Sequence, residues 1–290
     1  MPDSEWFPKK GFAKHWRAQV TRHLINECRA RARAGGSQLQ CRDLDSYQFG
    51  VFTGRSLKVM ASVWLRHNLT RHLYGFDSFR GISEDDPVAN PDSAGATIAS
   101  SAPWRKGSQR GSSYADSVGQ SAKAHSSSLG AFRPGQFSVL SATRSQSVAD
   151  AVRVVSRYIR QPNHTTLIPG FLNESLTPEL AKRLGMRPAI YVDIDVDIYG
   201  PTFQALDWML RNRLIVNGTV IGYDDFNFGI PAGFKGPWRA ADFAVPARLE
   251  GEPRAHREIE KKWNIRMEQI RAVSTTGGQA GWAFTVRNLV

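Results

Sequence analysis

Three aspartates alternate with branched aliphatic residues in AIYVDIDVDIY (189–199): Asp193, Asp195 and Asp197, with Val192, Ile194, Val196 and Ile198 around them. Residues two apart on an extended strand share a face, so the three carboxylates line one side of a segment that otherwise reads as a buried strand. An unpaired ionised carboxylate in a dry core costs many kcal/mol. Asp195 and Asp197 therefore belong at the strand tip, near solvent or a cation. A second acidic pair, Asp224-Asp225, closes GTVIGYDD (218–225). If the two tips adjoin, four carboxylates meet, and such a group repels itself unless protons or a metal neutralise it. Oxygen-only ligands suit Mg²⁺, Mn²⁺ or Ca²⁺, and neither motif holds a His or Cys that would suggest zinc. The plainer reading of any one of these aspartates is a cap or a surface residue.

A second candidate feature lies earlier in the chain. Gly50 and Gly54 stand in FGVFTGRS, at a strand-to-helix turn where backbone can approach a ligand and a helix N-terminus points amides at it. Asp77 ends RHLYGFD, 27 residues after Gly50. An acidic residue at that place accepts hydrogen bonds from ribose hydroxyls in dinucleotide sites. A tight turn and a helix cap are the structural alternatives. The order, glycine loop and then acidic tip, favours a cofactor that contains a nucleoside.

The elements that position these residues are legible from periodicity. Residues 12–34 read as an amphipathic helix with Phe12, Trp16, Val20, Leu24 and Cys28 at a spacing of four, ended by Gly35-Gly36. Strands are expected at 46–52, 71–77, 164–170, 188–196, 218–225 and in the terminal GWAFTVRNLV. Helices are expected at 54–69, 147–159, 177–185, 201–214 and 253–270, with Thr177 as N-cap and Pro178 at the first position of the third. Strands alternating with helices predict a mainly parallel sheet wrapped on both faces, an α/β domain. Residues 91–130 break the pattern: rich in Ser, Gly and Ala and without periodicity, they read as a solvated, mobile insertion.

At 290 residues and 41% hydrophobic content the chain can build a real core. No run approaches the ~18 apolar residues of a membrane span, and MPDSEWFPKK lacks the apolar region of a secretory signal. Cys28 and Cys41 have neither metal spacing nor the numbers for a disulfide framework, so a reducing, cytoplasmic compartment is the default expectation. The net charge of +12 is spread along the chain, with no basic-aromatic module of a nucleic-acid binder.

Taken together, FGVFTGRS, YGFDSFRGISE, PGQFSV, IPGFLNESL, VDIDVDIYGPT and GTVIGYDDF resemble the macrocin O-methyltransferase family, a branch of the class I S-adenosylmethionine-dependent methyltransferases that methylates sugar hydroxyls. The resemblance covers residues 46–90 and 131–228. It implies a Rossmann-like seven-stranded sheet with an antiparallel last strand, residues 46–290 as the catalytic domain, and 1–45 as an N-terminal helical segment. It also implies a hydroxylated small-molecule acceptor, S-adenosylmethionine and Mg²⁺, and leaves a homo-oligomer open. By the same resemblance Gly50, Gly54 and Ser56 line the methionine part of the cofactor, and Asp77 with Ser78 holds the ribose. Gly170 and Phe171 lie near the adenine, Asp195, Asp224 and Asp225 bind Mg²⁺, and Asp197 is the general base. Four features depart from the family: Gln48 stands where it usually has Glu; Asp193 adds a carboxylate, so base and metal ligand among Asp193, Asp195 and Asp197 stay interchangeable; the Ser-rich insertion is not a family feature; and the ends, residues 1–45 and 229–290, match poorly.

Two other classes compete. Asp-x-Asp with a divalent cation also suits a nucleotide-sugar glycosyltransferase, which leaves the glycine loop and Asp77 unexplained. A non-enzymatic basic binding protein would tolerate Asp195→Asn and Asp224→Asn. FNFGIPAGFKGPW (226–238), with Phe226, Phe228, Phe234 and Trp238, reads as a lid or substrate wall, or as an ordinary loop with core anchors. His256 reads as an exposed helical histidine rather than a second base.

Overall fold

The computed structural model describes residues 16–34, 40–83, 135–226, 249, 251–270 and 281–289. The expected 91–130 insertion, the glycine pair after the first helix and most of the 226–238 loop lie outside them. A long helix α1 (Trp16–Ala34) leads through a short 3₁₀ turn to β1 (Asp45–Phe49), α2 (Arg55–Trp64) and β2 (Leu73–Asp77). Then come α3 (Val139–Thr143), α4 (Val148–Ile159), β3 (Thr165–Pro169), and the single-turn helices α5 (Leu172–Ser175) and α6 (Leu180–Arg183). The chain continues through β4 (Ala189–Ile194), α7 (Tyr199–Arg211), β5 (Val220–Tyr223), α8 (Gly251–Trp263), β6 (Arg266–Gln269) and β7 (Trp282–Arg287).

The seven strands form one sheet in the order β3-β2-β1-β4-β5-β7-β6. β1 to β5 run parallel and β7 pairs antiparallel with both β5 and β6. This is the mainly parallel α/β sheet expected from the alternation of elements, with the antiparallel last strand. The sheet buries both faces. On one side Val192, Ile194 and Ile221 pack with Leu206, Met209 and Ile259 of α7 and α8. On the other, Tyr191 and Val220 pack with Trp16, Val20 and Leu24 of α1, Met60 and Trp64 of α2, and Val155 of α4. Side chains two apart on β4 thus send Tyr191 and Asp193 toward α1, and Val192 and Ile194 away from it.

Several boundaries differ from expectation for local reasons. The segment expected as one helix at 253–270 stops at Trp263, with Asn264 in the left-handed region (φ 49°), and Arg266–Gln269 becomes β6 against β7. Its charged residues alternate in exposure with Met267, which is buried, so a strand satisfies them as well as a helix did. The helix expected from Thr177 shrinks to Leu180–Arg183 with Glu179 as its cap, although Gly185 just beyond it does take a positive φ of 58°. His256, expected to be exposed, is fully buried among Tyr223, Phe226 and Phe284, because α8 lays that face on the end of the sheet.

Cys28 and Cys41 are joined in a disulfide across 13 residues. Two cysteines do not make a framework, but this bridge ties α1 to the turn before β1, and it removes the argument from free thiols to a reducing compartment. None of the described helices is long and apolar enough to cross a membrane.

Candidate functional site

The two acidic tips do adjoin. Across the sheet, Asp193 of β4 pairs in register with Gln48 of β1 on one side and Gly222 of β5 on the other. The ladder runs one step past the strand ends: the Asp195 amide donates to the Phe49 carbonyl at 2.9 Å and the Asp224 amide to the Ile194 carbonyl at 3.1 Å. Asp195 and Asp224 therefore stand side by side, and Asp193 lies one pleat beneath them with no exposed surface.

An arginine, not open space, lies between them. Arg17, in the first turn of α1 and 6% exposed, donates from Nε to Asp193 at 3.1 Å, from Nη2 to Asp195 at 2.8 Å and from Nη1 to Asp224 at 3.3 Å. The Trp16 indole donates to Asp224 Oδ1 at 2.8 Å, and the Tyr191 hydroxyl donates to Asp193 Oδ1 at 2.8 Å. Burial opposes the Arg17 charge, but Asp193, Asp224 and Asp195 more than offset it and push the guanidinium well above its ordinary value. Gly222 makes room for this packing, since a Cβ there would lie 2.2 Å from the Tyr191 hydroxyl and 2.7 Å from the Trp16 ring. The expected Mg²⁺ ligands Asp195 and Asp224 are thus committed to a guanidinium. Among the described residues no group of three His, Cys, Asp or Glu is placed to hold a metal ion.

The remaining acids crowd together. The Asp225 amide donates to Glu252 of α8 at 3.1 Å, and the other Glu252 oxygen, Oε1, is buried without a partner. Burial raises Asp225 well above the usual carboxylate range, and Asp197 adds to the effect. Burial likewise raises Glu252, helped by Asp225, and raises Asp195, helped by Asp224. Asp197 is pushed up to about 7, first by burial and then against a favourable hydrogen bond with Asp225. Its backbone is left-handed (φ 64°), which turns the chain sharply from β4 into α7.

A cavity of about 270 Å³ opens at the carboxyl ends of β1, β2 and β4, where ligands bind in open parallel sheets. Of the residues singled out from sequence, Gly50, Asp77, Ser78, Phe171, Asp195 and Asp197 line it. Ile82, Phe137 and Leu172 supply apolar walls that periodicity did not mark. Gly54, Ser56, Gly170, Asp224 and Asp225 are not among the lining residues. Gly54 instead starts α2 at φ 80°, where a Cβ would meet Val155 of α4 at 2.7 Å. Gly50, at φ 85°, is required by the neighbouring strand: a Cβ would come within 1.8 Å of the Asp195 carbonyl oxygen. Asp77 clamps the glycine loop, accepting the Val51 and Phe52 amides on Oδ2, both at 2.8 Å, and the Phe79 amide on Oδ1 at 2.6 Å. Ser56 accepts from Gln48 Nε2 at 2.6 Å. The same nitrogen donates to the Gly50 carbonyl at 2.9 Å, which fixes the amide orientation and leaves Gln48 Oε1 buried without a partner.

Arg17, Trp16 and Glu252 were missed. Arg17 sits next to the Trp16–Val20–Leu24 stripe, at a position that reads as the solvated edge of an amphipathic helix, and nothing local marks it as the partner of residues more than 170 positions away. The one available signal was the excess of acid at the tips, which required a cation from somewhere.

No protein-family model matches the chain, and no curated protein matches it. Among solved structures it is similar to the calicheamicin methyltransferase CalS11 at 18% identity, over 93% of this chain and 80% of that one, with a TM-score of 0.47. It is also similar to the O-methyltransferase NovP at 15% identity, over 92% and 79%, with a TM-score of 0.48. An O-methyltransferase from Bacillus cereus in complex with SAH matches at 12% identity over 99% and 95%, with a TM-score of 0.41. Likeness this distant assigns no activity, and the reading of the site rests on the chain's own residues.

Proposed function

We propose that the protein is an S-adenosylmethionine-dependent O-methyltransferase acting on a hydroxyl of a small molecule, a sugar or another alcohol. The observation that carries this reading is the cavity of about 270 Å³ that places the Gly50 loop and the Asp77 tip on one wall and Asp197 on another. Gln48 Oε1, buried and unpartnered beside the same loop, is an acceptor waiting for a donor such as the ammonium of the cofactor's methionine part. Asp77 keeps lone pairs for ribose hydroxyls beyond the three amides it already accepts. Ser78 and Phe171 complete that lining.

When bound, the cofactor supplies a methyl group made electrophilic by a sulfonium. The chain's own contribution is to aim the acceptor and to take its proton. Asp197 accepts the hydroxyl proton while the O–C bond forms and the C–S bond breaks, a general-base role worth about 10²–10⁴-fold. Holding the reactants in line can supply ~7–11 kcal/mol of the barrier. The burial that raises Asp197 suits it to that task, because the group that takes the proton then has a pKa near the working pH. Mg²⁺ does not fit the residues as placed, since Arg17 holds Asp195 and Asp224, and no step here runs through it. The glycosyltransferase alternative loses its Asp-x-Asp cation to the same side chain.

Calorimetric titration with S-adenosylmethionine tests the reading. A Kd below about 100 µM, with Asp197→Asn binding the cofactor but losing turnover on a panel of hydroxylated acceptors, supports it. No cofactor binding at all overturns it.

A further inference from the structure

We propose that Arg17 is a built-in cation. Its guanidinium takes the place at the acidic strand tips that a divalent ion would otherwise fill, so the native chain binds no divalent ion there, and deleting the side chain turns the tips into a divalent-cation site. Three carboxylates from two adjacent strands converge on this one group, at 3.1 Å for Asp193, 2.8 Å for Asp195 and 3.3 Å for Asp224. These are hydrogen-bond distances to a planar fork with five donors. Mg²⁺ would demand the same oxygens at about 2.0–2.1 Å in octahedral array. A divalent ion drawn to Asp195 Oδ2 and Asp224 Oδ1 would lie against the guanidinium those oxygens already hold, and like charges repel.

Arg17 is delivered by a helix that belongs to the core. Trp16 lies over Gly222 of β5 and Gly281 just before β7, where a Cβ would come within 2.7 Å and 2.1 Å of its side chain. Thr21, one turn on, accepts the Trp64 indole at 3.0 Å, and Cys28 is bonded to Cys41. The backbone that carries Arg17 is thus fixed against the sheet, and Asp193, Asp195 and Asp224 hold its buried guanidinium in place.

The test is terbium luminescence on the full chain, sensitised by Trp16, with Mg²⁺ as competitor and thermal melting with and without Mg²⁺ alongside. The wild type should show no saturable terbium signal and no Mg²⁺-dependent rise in Tm. Arg17→Ala should bind terbium at least ~100-fold more tightly, release it to Mg²⁺, melt higher in Mg²⁺, and lose the site again when Asp224→Asn is added. Saturable binding by the wild type that Asp224→Asn abolishes overturns the proposal, as does an Arg17→Ala chain that binds no better than wild type. If Arg17→Ala does not fold, the wild-type titration decides by itself: no saturable binding supports the assignment and saturable binding refutes it. Cation binding is read without turnover, so a failure of the methyltransferase reading is seen separately, in the cofactor titration.

Discussion

Removing the Arg17 guanidinium while keeping its bulk, as in Arg17→Met, leaves Asp193 with no exposed surface and only the Tyr191 hydroxyl facing its carboxylate among the contacts described above. Asp195 and Asp224, 27% and 34% exposed at their side chains, can still recruit water, so Asp193 dominates the cost. Stripping one partner from a buried ion pair costs about 3–5 kcal/mol, or roughly 5–8 °C in Tm for a chain of this size. Asp193→Asn keeps an acceptor for Tyr191 and leaves Arg17 its other two carboxylates, so it should cost only about 1–2 kcal/mol. The double variant should recover at least ~1.5 kcal/mol relative to the sum of the singles, since the two groups are in contact. Burial already raises Asp193 above the ordinary carboxylate value, with Arg17 holding it down. A raised carboxyl contributes stability below its unfolded value and loses it as pH rises, so the Arg17→Met deficit should widen from pH 5 to pH 8. Urea unfolding of the four proteins at both pH values measures all of this. Additive singles, or an Arg17→Met variant within ~0.5 kcal/mol of wild type at pH 8, would refute the claim that Arg17 compensates the buried Asp193 carboxylate.

Gly222→Ala should cost about 1–3 kcal/mol and shift Trp16 fluorescence, because its Cβ would lie 2.2 Å from the Tyr191 hydroxyl and 2.7 Å from the Trp16 ring. The double variant Cys28→Ser/Cys41→Ser should lose about 2–4 kcal/mol by removing a cross-link over 13 residues, and dithiothreitol should lower the wild-type Tm to match. Burial pushes His256 down to about 3, so the folded state favours its neutral form. That contribution is intact above the unfolded value near 6.5 and is lost as pH falls toward 3; it should amount to ~2 kcal/mol of stability lost by pH 5, and His256→Phe/Tyr223→Phe should flatten that limb. Asp45→Ala should cost about 3–5 kcal/mol, since this fully buried carboxylate holds Arg71 through two contacts of 2.9 Å and the Arg187 amide at 2.8 Å.

The class of the fold was legible along the chain because its signals are local. Period-four apolar residues marked α1, and short apolar runs marked β1, β2, β4 and β5 to within a few residues. The two acidic tips were also readable, since carboxylates at alternate positions of a buried strand have few places to go, and the sheet order does bring Asp195 beside Asp224. What the linear chain could not convey was which cation meets them. Arg17 comes from a helix 178 positions before Asp195, and a helical period tells which stripe is buried but not what that stripe will face. The same holds for His256, whose charged neighbours along α8 concealed an aromatic pocket built by β5 and β7. Local propensity and periodicity chose the elements; the docking of α1 onto the sheet, a matter of long-range packing and charge balance, decided that the acidic tips hold a guanidinium.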